Sequence, residues 1–209
     1  MKRILLTFTV IVAGLSVMAP DIIAQSGYAA PPATAKQKRH DAWQKDMAEF
    51  RARSEHDRQM TALVDSIASV QAAAAIRNQD FVLEAESVTF KNGANVFVNS
   101  STNFISVKGN RAVVQISPSN FAAGPNGVGG VTVDGMITDR SITKDKKGTV
   151  TYSMNVMGIG INAQVDIYMY PGSNRASATI YPNFNSNTVW IQGDIVPYEN
   201  SSVIEGSSL

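Results

Sequence analysis

The chain has 209 residues, with 18 lysines and arginines against 17 aspartates and glutamates, and it contains no cysteine. The near-zero net charge argues against a nucleic-acid-binding protein, because such a protein needs a basic surface to displace counterions from phosphates. The missing thiol excludes disulfides, cysteine nucleophiles and thiolate-bound metals, so we expect packing alone to stabilise the fold.

Residues 1–24 have the three parts of a secretory signal peptide. Lys2 and Arg3 form a positive start, Ile4 to Ala19 is an uncharged, mostly apolar run, and the small residue Ala24 suits the position before a cleavage site. As a helix this run spans about 24 Å, which is short of the ~30 Å hydrocarbon core. We therefore predict an exported mature protein without a transmembrane segment. It is expected in the periplasm or secreted, and not as a lipoprotein, because no cysteine can carry a lipid.

A short linker and a helix are predicted next. Residues 25–34 form a Pro/Ala linker, in which Pro31 and Pro32 favour an extended spacer. Residues 35–79 contain no Gly or Pro and are rich in good helix formers, which predicts a charged amphipathic helix. Two sets of apolar residues recur at helical spacing: Trp43, Met47 and Phe50, then Met60, Leu63, Val64, Ile67 and Val70.

The two apolar sets are out of phase across the charged middle of the segment. This pattern fits either one long helix whose buried stripe changes face, or two helices that meet near Ser54. The charges are typical of a solvated face. Trp43, Met47 and Phe50 also suggest a helix that binds a partner protein or its own copy, although the stripe is too interrupted to predict a coiled coil.

From residue 80 to 209 the apolar pattern has period two, which predicts an all-β domain. Asn-Gly and similar turn signals separate the candidate strands, so neighbours in sequence should pair antiparallel. Eight to ten such strands favour an up-and-down barrel, with a two-sheet sandwich as the alternative. The candidate strands are Phe81 to Phe90, Ala94 to Val98, Asn103 to Lys108, Arg111 to Ser117, Val128 to Asp134, Met136 to Thr143, Thr149 to Met157, Gly160 to Tyr170, Arg175 to Tyr181 and Thr188 to Val196.

Several segments of this domain resemble an exported family of Bacteroides-type bacteria, catalogued as domain of unknown function 4251. The resemblance covers roughly residues 79–209 and implies a lipocalin-like barrel behind a signal peptide and a charged helix. It implies no activity, ligand or catalytic residue. The matching segments are 81–85 (FVLEA), 96–104 (VFVNSSTNF), 123–130 (AGPNGVGG), 145–148 (DKKG), 153–158 (SMNVMG) and 182–187 (PNFNSN).

The sequence predicts no catalytic residue, no metal site and no cofactor. His40 and His56 lie sixteen residues apart in the helix, whereas helical metal ligands need a spacing of three or four. No histidine lies in the β domain, which excludes a Ser-His-Asp triad there. The carboxylates Glu84, Glu86 and Asp194 fall in the polar phase of their strands, where solvent is expected rather than a pocket that raises a pKa.

Asn-Phe pairs recur next to predicted loops. If they gather at one end of the barrel, their amides and aromatic faces suit a sugar or a peptide. Alternatively, each Asn adopts a turn conformation while each Phe fills the core. The residues concerned are Asn103, Phe104, Asn120, Phe121, Asn183 and Phe184, with Asn126, Asn185, Asn187 and Trp190 nearby.

Met154 and Met169 lie in the apolar phase of their strands, among small residues such as Ala163 and Ala176. Methionine adapts to varied apolar ligands, and an eight-stranded barrel can either hold one small ligand or be filled by its own side chains. The leading hypothesis is a non-catalytic barrel that binds a small apolar or amphipathic molecule in or at its mouth. The alternatives are ordinary core packing and, for function, an interaction module that uses the helix.

Overall fold

The computed structural model describes residues 34–117, 130–159, 162–183 and 188–206. Among these residues, one long helix precedes nine strands. The chain divides into two compact units after Phe50, and all the strands belong to the second unit. The elements are α1 (Ala35–Asn78), β1 (Asp80–Phe90), β2 (Asn95–Phe97), β3 (Phe104–Lys108), β4 (Arg111–Ile116), β5 (Val131–Lys144), β6 (Val150–Gly158), β7 (Asn162–Met169), β8 (Arg175–Pro182), β9 (Val189–Pro197) and a 3₁₀ turn (Tyr198–Asn200).

The strands form one antiparallel sheet that closes on itself. Their order is β2-β1-β3-β4-β5-β6-β7-β8-β9, and a long pairing of β1 with β9 completes the circle. Along its other edge, β1 pairs with β3 through residues 80–84 and with the short β2 through residues 87–89. The result is an eight-stranded barrel with one extra strand, so the predicted closed meander is confirmed and the sandwich alternative is wrong. Closure hides the strand edges that an open sheet would expose.

The barrel core follows from the alternation along each strand. In β6, for example, Tyr152, Met154 and Val156 are buried, whereas Ser153 and Asn155 on the opposite face are half-buried or exposed. The same period continues through β7 and β8. Each large apolar side chain that is moved from water to the interior stabilises the fold by about 1.5–3 kcal/mol, so the barrel interior supplies the main driving force for folding.

One strand prediction was wrong. Val128 to Asp134 and Met136 to Thr143 were expected as two strands around Gly135, but β5 is a single strand across that glycine. A Cβ at Gly135 would overlap the backbone of Met157 on β6, so the glycine allows a close approach between strands and makes no turn. The irregularity of β5 lies instead between Ile137 and Asp139.

The end of α1 is part of the barrel core. Ala72, Ala75 and Ile76 are buried in the same apolar cluster as the inward side chains of the strands. The helix is continuous, so the alternative of two helices is wrong, and it ends at Asn78. The expectation that its apolar stripe is buried is also wrong, because the large apolar side chains of that stripe are mostly exposed. Gln79 adopts a left-handed backbone with φ of 57°, and its carbonyl accepts a hydrogen bond from the Gly109 amide at 2.8 Å. A one-residue turn therefore joins the helix directly to β1.

The C-terminal segment, residues 198–206, covers the outside of β1, β3 and β4. Beneath it lies an outer apolar cluster of Val82, Phe104 and Val113, against which Tyr198 and Val203 pack. Further contacts hold the segment, including the Gln115 amide bonded to the Ile204 carbonyl at 3.0 Å and Arg111 paired with Glu205 at 2.9 Å. This part of the barrel is thus apolar on both faces.

Candidate functional site

The barrel interior contains both methionines that were predicted to contact a ligand. Met154 and Met169 are buried in the core cluster, together with the small residues Ala163 and Ala176. No observation tests ligand contact at these positions, so their role stays a prediction. Met154 also reaches the lining of a groove on the outside of the barrel.

Tyr152 is an unusual member of this core. Its ring is fully buried and lies edge-on to Phe81, with the centroids 5.3 Å apart. Its hydroxyl is buried and has no hydrogen-bond partner among the described residues, whereas a buried tyrosine hydroxyl normally finds one. Burial raises the pKa of this phenol, and the charge of Arg140 opposes the shift. The interior therefore holds an unsatisfied, uncharged polar group.

The first Asn-Phe pair is buried and bonded within the fold. The Asn103 amide donates to the carbonyl of Ser117 at 3.0 Å, and its side-chain oxygen accepts from the Ser117 amide at 2.7 Å. Asn103 thereby ties the start of β3 to the end of β4. Phe104 belongs to the outer cluster beneath the C-terminal segment. A ligand could reach neither residue without displacing these contacts.

The remaining Asn and aromatic candidates divide into two groups. Asn183 and Trp190 are exposed, at the end of β8 and near the start of β9, which is the same end of the barrel at which β3 begins. The strand ends thus lie toward the same end of the barrel, but β3 begins opposite Glu84 of β1 and β9 begins opposite Phe90. Asn103 is also buried. The other candidates, which lie outside the described residues, are Asn120, Phe121, Asn126, Phe184, Asn185 and Asn187.

A polar groove that the sequence did not indicate opens across β5, β6 and β7. It has a volume of about 300 Å³. The alternation of apolar and polar residues assigns most of its residues to the solvent-facing side of the sheet. The local sequence does not show whether that side is flat or forms a groove. Its lining residues are Asp139, Arg140, Ser141, Ser153, Met154, Asn155 and Gln164.

The carboxylates of β1 and β9 form an ion-pair network with Arg175. The guanidinium bonds Glu86 and lies 3.5 Å from Asp194, and Glu84 accepts a hydrogen bond from the Ser201 hydroxyl at 2.6 Å. Burial raises the pKa of Asp194, while Arg175 acts in the opposite direction. In the described part of the chain, no three His, Asp or Glu side chains are grouped so that they could hold a metal ion. Arg175 thus links β8 to β1 and β9, and the separate contact between Glu84 and Ser201 links β1 to the C-terminal segment.

The second half of α1 has two different faces. The face with small residues packs on the barrel through Ala72, Ala75 and Ile76, and Ala68 and Ser69 one turn earlier are half-buried on the same side. The opposite face has large apolar side chains that are between 48% and 66% exposed. We call these residues the helix stripe: Met60, Leu63, Val64, Ile67 and Val70.

Charge is nearly absent around the helix stripe. Between Arg58 and Arg77, Asp65 is the only charged residue.

The partner-binding candidates Trp43 and Phe50, which belong to the first unit, are 60% and 66% exposed, and Met47 is half-buried. Within the described residues, no helix combines the length and hydropathy needed to cross a membrane.

Comparison with known proteins identifies a family and a solved structure to which this chain is similar. The family model described as domain of unknown function DUF4251 matches residues 65–195. A crystal structure of a DUF4251 family protein from Bacteroides eggerthii, at 1.95 Å resolution, is 44% identical to this chain. The match covers 67% of this chain and 94% of that chain, with a TM-score of 0.59. The comparison with curated proteins gives no match.

Proposed function

This chain belongs to the DUF4251 family, and from that premise we propose that it is an exported, non-catalytic interaction module that presents a helix for binding another protein. The observation that carries the proposal is the helix stripe. Its five large apolar side chains are exposed, while Ala72, Ala75 and Ile76 on another face anchor the same helix in the barrel core. Contiguous exposed apolar side chains of this kind mark interaction surfaces in soluble proteins.

The anchoring of α1 supports this function. Ala72, Ala75 and Ile76 fix the end of the helix in the core, and the left-handed Gln79 joins it to β1 without a flexible linker. A helix held in this way loses little conformational freedom when a partner binds, which favours affinity. Trp43 and Phe50 provide two further exposed aromatic side chains for such contacts.

The non-catalytic part of the proposal has separate support. Glu86 and Asp194 are both paired with Arg175, and Glu84 is bonded to Ser201. Both histidines lie in α1, far along the chain from these carboxylates. Acid-base catalysis needs a carboxyl that is free to exchange a proton with a substrate, and ion pairing works against this.

Site-specific photo-crosslinking in living cells tests the proposed interaction. A photo-crosslinking amino acid in place of Ile67 lies within the helix stripe, whereas the same residue in place of the exposed Ala62 lies on another side of the same helix. We expect a discrete crosslinked product from position 67 and none from position 62. No product from position 67, or equal products from both positions, would contradict the proposal.

A second candidate function is the binding of a small amphipathic molecule in or at the mouth of the barrel. The unpartnered hydroxyl of Tyr152 favours it, because a polar group on a ligand would satisfy this buried donor. Ala163 and Ala176 contribute only small side chains to the interior around it, and Met154 and Met169 can adapt to the shape of a ligand.

Native mass spectrometry of the protein released from the periplasm tests both this candidate and export. We expect a polypeptide mass that begins at Gln25, together with an additional bound mass that Tyr152→Phe abolishes without lowering the unfolding temperature. Detection of the protein only in the cytoplasm with residues 1–24 intact contradicts export. An exported protein without a bound mass contradicts ligand binding.

A further inference from the structure

We infer that the partner of the helix stripe is a second copy of this chain. The inference rests on the proposed function and goes one step further, because it names the protein that covers the exposed face. Three properties of the segment from Arg58 to Arg77 lead to it: the spacing of its apolar residues, the charge beside them and the size of the face.

The apolar spacing is interrupted along the helix as a whole, but within this segment it is that of a self-complementary seam. Met60, Leu63, Ile67, Val70 and Ala74 follow one another at alternating steps of three and four residues, which are the a and d positions of a heptad repeat. A symmetric dimer needs a single patch that fits its own copy. Two helices with the same heptad seam meet this requirement without any further surface.

The charge pattern permits a second copy of the same chain and disfavours a membrane surface. The positions that flank the seam carry no charge: Gln59, Val64, Ser66, Gln71 and Ala73. The one charged residue, Asp65, lies on the side opposite the seam. Two copies therefore meet without repulsion between like charges, which is destabilising where it occurs. A membrane surface would instead call for lysines and arginines beside the apolar residues.

The size of the seam determines the affinity that we expect for the dimer. The large side chains extend from Met60 to Val70, about two heptads, and each is already partly covered by its own helix. Such a face is smaller than the roughly 800 Å² per partner of a standard stable interface. We therefore expect a reversible dimer with a Kd on the order of micromolar, which exchanges with monomer at working concentrations.

Sedimentation velocity of the mature exported protein, over about 1–100 μM, tests the inference. We expect a concentration-dependent monomer–dimer equilibrium. Leu63→Asp and Ile67→Asp should each weaken dimerisation by at least tenfold, because each places a charge in an apolar seam. The matched control is Ala62→Asp, which adds the same charge to an exposed position outside the seam and should leave the equilibrium unchanged. All three positions are exposed, so the thermal unfolding curves should coincide at concentrations well below the Kd, where every variant is monomeric.

The result that overturns the inference is a wild-type protein that stays monomeric throughout this range, or a dimer that Leu63→Asp leaves intact. Its failure can be distinguished from failure of the proposed function by the crosslink at position 67. A crosslinked product with twice the mass of the chain supports the second copy. If the crosslinked product has another mass and the wild-type protein is monomeric, the proposed interaction module is supported and self-association is contradicted. Absence of any product rejects both.

Discussion

Gly193→Ala should destabilise the barrel by about 3 kcal/mol or more, or prevent it from folding. Gly193 lies in β9 and pairs with Ala85 on β1, at the seam where the sheet closes. A Cβ at this position would overlap the backbone carbonyl of Glu84. Backbone atoms cannot rotate away as a side chain can, so one of the two closing strands must move. Urea unfolding of the two proteins, followed by circular dichroism, gives the difference in free energy of unfolding.

Gly172→Ala is the matched control for this substitution. Gly172 has a left-handed φ of 83°, but apart from Gly172 itself and its two chain neighbours, no atom of the described residues lies within 4 Å of where its Cβ would be. Alanine at this position should lower the free energy of unfolding only through its left-handed backbone conformation, by on the order of 1 kcal/mol. If the two substitutions lower the free energy of unfolding equally, the close approach of the strands at Gly193 adds no further destabilisation. A larger loss at Gly193 attributes the difference to strand closure.

Closure of the barrel also matters for the helix. Residue 80, where β1 begins, follows the end of α1 after a single residue, and Ile76 is buried in the core that the closed sheet encloses. A sheet that opened between β1 and β9 would expose that core and release the anchor of α1. The energy of closure thus holds the helix stripe in place.

The strands could be predicted because their signal is local. A period of two in apolar residues, interrupted by turn residues, specifies both a strand and its buried face, and β6 follows it residue by residue. Gly135 misled the prediction because the same residue type serves two purposes. It permits turns, and it also permits the close approach of β6 that a single sequence does not reveal.

The candidate site was less predictable because its properties depend on contacts between distant segments. Phe104 looks like a loop-side aromatic in the sequence, but residues 198–206 return to cover it. For α1, the apolar spacing predicted the helix stripe, whereas the anchor is formed by Ala72 and Ala75, whose small side chains give a weak periodic signal. Sequence periodicity thus identified the apolar face of α1 but wrongly predicted that it is buried, and it missed the face that packs on the barrel.

Asn103→Leu separates the two interpretations of the first Asn-Phe pair. The structure predicts that the free energy of unfolding falls by about 3 kcal/mol, because leucine cannot form the two buried hydrogen bonds that Asn103 makes with Ser117, and the loss of such bonds costs about 1–3 kcal/mol each. The control is Asn95→Leu at an exposed position, where the side chain donates a hydrogen bond to the Thr89 hydroxyl at 2.7 Å. The free energy of unfolding should there change by no more than about 0.5 kcal/mol.

Thermal and urea unfolding of both variants measure these losses. If Asn103 served a ligand and not the fold, its replacement would leave the stability of the ligand-free protein unchanged. A loss well above that of Asn95→Leu instead assigns Asn103 to the junction of β3 and β4. The exposed residues Asn183 and Trp190, at the same end of the barrel, then remain as the described candidates for any ligand that binds there.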